Sequence, residues 1–174
     1  FTFVGLLFAT LSIIIIVNSP LRIMPNWCYN RIRIDADSDQ VNQLKEIYNI
    51  FNDHEDPFNQ ILPIPDFKNI PNDKGELPKL EQHKGKDGEV IWETYNFPDG
   101  KNDDRWYHWC ISNWGTKWDL SELDIEYDDE MLELTFSTAW SPPEGIVQEL
   151  RDKYPDLGFT CFYDEPGMEV AGYY

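Results

Sequence analysis

Seven consecutive residues, Asn113-Trp114-Gly115-Thr116-Lys117-Trp118-Asp119, place an amide, two indoles, a hydroxyl, an ammonium and a carboxylate within a short stretch. Tryptophan faces with a few placed polar groups suit sugars, nucleobases and cationic groups. The expected site is a concave surface lined by Trp114, Trp118 and Trp140, with Asn113, Lys117 and Asp119 converging on it and Trp106, His108 and Trp109 close by. The competing reading is structural: Gly115 makes a turn, the indoles pack a core, and Lys117 pairs with a carboxylate. A second group is acidic. Asp124, Glu126 and Asp128 alternate along one stretch, and Asp129 and Glu130 follow directly. Alternation puts the first three on the solvated face of a strand, where they form either a solubilising surface or a docking surface for a basic protein. One form of the latter is mimicry of DNA, with carboxylates standing in for phosphates.

Other arrangements fail on spacing. Asp35-Ala36-Asp37-Ser38-Asp39 resembles the opening of a calcium loop, and Glu46 stands at its twelfth position, but Gln40 takes the place of the glycine the sharp turn needs. His54, His83 and His108 lie at no metal-ligand spacing with one another or with the cysteines. His108 and Cys110, two apart on a helix, point away from each other and make no base–nucleophile pair. No phosphate loop, dinucleotide fingerprint or nucleophile elbow occurs. No metal, cofactor or catalytic residue is therefore expected.

The charge balance narrows the partners. Lys and Arg number 14 against 32 Asp and Glu, a net −18. Residues 1–23 hold one basic residue, Arg22, and no acidic one, so the remainder stands at −19. Phosphate backbones are held by cations that displace counterions, which argues against direct nucleic-acid binding. The three cysteines, Cys28, Cys110 and Cys161, are widely spaced and odd in number, which reads as buried, reduced thiols in a cytoplasmic protein.

The elements that must position these residues follow from periodicity. Residues 1–17 are uncharged and apolar but short of the ~20 residues that span a bilayer. They read as an upstream extension of the reading frame, with Met24 as the natural start, as a shortened anchor, or as a signal peptide that lacks a basic leader and a clear cleavage site. A membrane location follows only if residues 1–23 are translated. Cys28 to Asp35 alternates as a half-buried strand. Ser38 is the expected cap of a helix whose apolar face is Val41, Leu44, Ile47, Tyr48 and Phe51. Residues of about 53–117 form an expected insertion, rich in Pro and Gly, that packs by Ile61-Leu62-Pro63-Ile64 and Val90-Ile91-Trp92. It contains a short helix near 104–113. Leu123, Ile125 and Tyr127, then Leu132, Leu134 and Phe136, read as a hairpin. Ser141-Pro142-Pro143-Glu144 has the pattern of a helix start, Leu157 to Tyr163 reads as a strand, and 168–174 as an edge strand. The order is βαββαβ with a long insertion after the first helix: an α+β, ferredoxin-like sandwich with an antiparallel sheet and both helices on one face.

Four motifs carry a resemblance. Met24-Pro25-Asn26-Trp27-Cys28 with Asn30, then Asn113 to Asp119, then Thr138-Ala139-Trp140-Ser141-Pro142-Pro143, then Glu165-Pro166-Gly167 resemble the Api92-like (YubB) family of phages, plasmids and bacterial genomes. The resemblance covers residues 24–174 and implies a ferredoxin-like domain; it implies no catalytic residue. The expected function is that of a non-enzymatic, acidic interaction protein binding a basic or DNA-binding protein of host or phage. The alternative is a small-ligand module or enzyme built on residues 113–119.

Overall fold

The computed structural model describes residues 26–174. The apolar run 1–17 and Met24 lie outside the described residues. β1 (Trp27–Asp35) leads to α1 (Val41–Asp53) and the short α2 (Pro57–Ile61). A 3-10 turn at Phe67–Asn69 precedes β2 (Lys79–Lys84) and β3 (Val90–Asn96). α3 (Arg105–Asn113), β4 (Ser121–Tyr127), β5 (Met131–Ala139), α4 (Glu144–Lys153), β6 (Gly158–Glu165) and β7 (Val170–Tyr173) complete the chain. Five strands form one sheet in the order β4-β5-β1-β6-β7, with every neighbouring pair antiparallel. β2 and β3 form a separate two-stranded ribbon.

Strict alternation in β1 decides which side of the sheet is covered. Cys28, Asn30, Ile32 and Ile34 are buried, while Tyr29, Arg31, Arg33 and Asp35 are exposed. Register carries this across the sheet, since Ile32 stands between Leu134 and Cys161, and Ile34 between Leu132 and Phe159. Leu44, Ile47 and Phe51 of α1 and Ile146, Val147 and Leu150 of α4 join these side chains in one core. The residues between are left to solvent. Pleating gives each strand two faces, and only one of them has helices over it.

Helix starts depart from the sequence expectation. Ser38 lies in a turn and Gln40 is the residue that precedes α1. No side-chain bond caps the helix, and the Gln40 Oε1 instead accepts the Asp37 N–H at 2.9 Å. Likewise α4 begins at Glu144, after Pro143. The Ser141 hydroxyl donates to the Gly115 carbonyl rather than capping the helix, because the chain at 113–115 presses against the first turn of α4. A side chain at Gly145 would come within 1.7 Å of the Asn113 carbonyl oxygen, so only glycine admits that approach.

The region between α1 and β4 divides in its packing. Ile61, Leu62 and Ile64 pack against the core as expected. Val90, Ile91 and Trp92 do not: they lie exposed on the ribbon. Two isolated strands have no second layer to bury them, so their apolar residues stay wet. Among the described residues no helix is long and apolar enough to cross a membrane.

Candidate functional site

The 113–119 stretch is divided between core and surface. Trp114 is buried and its indole N–H donates to the Leu62 carbonyl at 2.8 Å, while its ring meets Phe58 edge-on. Asn113 donates to the Trp109 carbonyl at 2.8 Å, which ties down the end of α3. Gly115 adopts φ 89°, and Thr116, fully buried, donates to the Ala139 carbonyl at 3.0 Å. Asp119 accepts the Phe58 and Asn59 N–H groups at 3.2 Å each and that of Leu120 at 2.9 Å. It thereby holds the start of α2 from far along the chain. Burial outweighs these bonds and pushes its carboxyl up to about 6. Lys117 lies over the rings of Trp118 at 4.2 Å and Tyr107 at 5.3 Å, a cation–π arrangement. Trp114, Lys117, Trp118 and Asp119 share a shallow cleft of about 230 Å³ with Trp106. Asn113 and Trp140 are outside it. Trp140 is at the end of β5 with φ 75° and donates its N–H to the Asn26 carbonyl.

The acidic residues take their places on the open face of the sheet. Register sets Asp124 beside Thr135 and Glu126 directly across from Glu133. Arg31 reaches Glu133 at 2.8 Å, and Arg33 reaches Asp35 at 2.8 Å. Neither Asp124 nor Glu126 has an ion-pair partner among the described residues. Asp128 is spent on the hairpin turn, where its carboxylate accepts the Glu130 and Met131 N–H groups at 2.8 Å. Asp129 and Glu130 are exposed at that turn. One row of the face thus reads Asp124, Thr135, Arg31, Phe162, Tyr173, from acid through cation to aromatic. Arg31, Arg33, Thr160, Phe162 and Tyr173 border a hollow of about 390 Å³.

The separated motifs come together at one end of the sheet. Asn30 donates to Thr138 Oγ1 at 2.8 Å and to the Cys28 carbonyl at 3.0 Å, and it accepts the Tyr174 hydroxyl at 3.4 Å. Thr138 in turn donates to the Ser141 carbonyl at 2.8 Å. The motif Asn26-Trp27 and the motif Glu165-Pro166-Gly167 line a common cleft. Spacing along the chain gave no sign of this meeting; the joint appearance of these separated motifs in the resemblance was the only signal. Burial raises the thiols of Cys28, Cys110 and Cys161 to about 11, which leaves them protonated and unreactive. Among the described residues no group of His, Cys, Asp and Glu is placed to hold a metal ion.

An antiparallel sheet covered by helices on one side and open on the other defines a mixed α/β protein. Residues 113–174 match the family model of the ferredoxin-like domain in Api92-like protein, so the C-terminal part of the chain carries that domain and the resemblance read from the motifs holds there. No curated protein and no solved structure matches the chain.

Proposed function

We infer that the protein is a non-enzymatic binding protein of a phage- or plasmid-type element. It presents the acidic side of its open sheet face to a basic host or phage protein. The observation that carries this is Glu126 standing directly across from Glu133, with Asp124 in the adjoining row. Like charges facing each other across strands cost stability. Arg31 pairs directly with Glu133 and acts on Glu126 only at longer range, so a cationic partner is the group that would balance the rest. In this reading β1, α1, β4, β5, α4 and β6 make up one βαββαβ unit, β7 extends its edge, and residues of about 53–117 are an insertion. The reduced thiols agree with a cytoplasmic setting.

The test compares the wild-type protein with an Asp124→Asn/Glu126→Gln variant as bait in host lysate at low and high salt. Basic proteins held by the wild type, released by salt and lost by the variant are the expected result. An identical set retained by both proteins overturns the reading. Binding of a single-stranded oligonucleotide at the Arg31–Tyr173 hollow, followed by fluorescence anisotropy, would count against it as well. A second reading rests on the cleft between Trp106 and Trp118, where four of the 113–119 residues meet. There the protein would take a small planar or cationic ligand, and Trp118→Ala would abolish that binding while leaving the basic partner bound.

A further inference from the structure

Glu165 ends β6 on the covered side and is 1% exposed. One carboxylate oxygen, Oε2, accepts the Met168 N–H. The other, Oε1, is buried and has no hydrogen-bond partner among the described residues. A buried carboxylate oxygen without a donor loses its hydration and gains nothing for it. The same residue lines a cleft of about 250 Å³ whose other walls are Asn26, Trp27, Tyr29, Pro166 and Gly167. Gly167 packs directly on these groups: a side chain there would come to 2.6 Å from Asn26 Nδ2 and 2.9 Å from Glu165 Oε1. Among the described residues no basic side chain lines this cleft. Asp164, next to Glu165 in the chain, stands across from Tyr29 in the neighbouring strand and adds negative charge.

We propose that this cleft is a binding site for a guanidinium group, an arginine side chain of the basic partner, held by the free oxygen of Glu165 and flanked by the rings of Trp27 and Tyr29. A planar cation with several N–H donors matches both demands at once, donating to a carboxylate while its face lies against an aromatic ring; a compact ammonium meets only the first. The assignment also gives a use to Asn26, Trp27, Glu165, Pro166 and Gly167, which belong to the motifs that carry the resemblance and take no part in the acidic sheet face.

The probe is N-acetyl-arginine amide, with N-acetyl-citrulline amide as its neutral isostere, titrated into the protein and followed by NMR at the Asn26 side-chain amide and the Trp27 indole N–H. Saturable shifts with arginine are expected, with citrulline at least ~10-fold weaker, the loss expected when a charge-assisted bond becomes a neutral one. Glu165→Gln should erase the preference. Tyr29→Ala, at a side chain 53% exposed and outside the core, should weaken arginine several-fold without unfolding the protein. Equal binding of the two probes, no saturable shift, or unchanged affinity in Tyr29→Ala overturns the proposal. It rests on the basic-partner reading only for the source of the guanidinium, so the two fail separately. If arginine does not bind but Asp124→Asn/Glu126→Gln still loses the partner, the cleft assignment falls and the sheet-face function stands.

Discussion

Alternate residues of the same strands make the two faces of the five-stranded sheet. Leu132, Leu134, Ile32, Ile34 and Cys161 point to one side, where α1 and α4 bury them. Glu133, Thr135, Arg31, Arg33 and Phe162 point to the other and remain in contact with water. From Met131 to Phe136, each step of one residue along β5 exchanges a buried group that stabilises the fold for one left at the surface. Stability and recognition are therefore separable here by parity of position, and substitutions on the two faces should behave differently.

The sharpest way to break that comparison is a pair of adjacent substitutions. Leu134→Ala on the covered face should cost about 2–5 kcal/mol, the range for a truncated core leucine. Thr135→Ala, one residue on, should stay within about 0.5 kcal/mol, as surface positions do. Urea denaturation of both measures it, and comparable losses would show that the open face is also packed. Next in size is Gly145→Ala, which forces a methyl group into the Asn113 carbonyl where α4 meets the chain at 113–115. Overpacking of this kind costs about 1–3 kcal/mol, and a midpoint unchanged in denaturant would mean that the contact is loose.

A third prediction concerns Asp119, whose folded carboxyl is raised to about 6 from an ordinary 3.8. The folded state then holds its proton longer than the unfolded state does. The contribution of this group to stability accordingly falls as pH rises from about 4 to about 6, and is level above that. Relative to Asp119→Asn, the wild-type protein should lose stability across that window. A constant difference between the two proteins from pH 4 to 7 would contradict it. The smallest effect is expected on the open face, where Asp124→Asn with Glu126→Gln should raise stability by a few tenths of a kcal/mol at low salt and by less at high salt. A loss of stability would reveal a structural role for those carboxylates.

Much of this was written in the sequence wherever one strand face is buried. The alternation in 28–35 and in the 123–136 hairpin gave the right strands, because a one-residue slip would have put isoleucine and leucine into water. The helix starts were less legible. Ser38 and Ser141 have the side chains of caps, but capping depends on where the backbone turns, and close packing at Gly115 and Gly145 took Ser141 for another bond. Asp119 could not be understood locally, since the N–H groups that it holds lie at Phe58 and Asn59. Val90 to Trp92 are as apolar as any core strand, and nothing in their order announces that only one other strand will pair with them. The free oxygen of Glu165 is a property of two motifs arriving at one place.

The outer strand β4 has a further consequence. Its register shifts between Ser121 and Asp124, and Glu122 there takes a left-handed conformation at φ 57°. A bulge at the rim twists the unpaired backbone away from a flat approach, and the neighbouring carboxylates repel any strand that carries the same charges. The far rim, β7, offers only four residues, Val170–Tyr173. Neither border of the five-stranded sheet is a template on which a second molecule could readily continue it. The carboxylates along this rim thus guard the five-stranded sheet against pairing with its own copies.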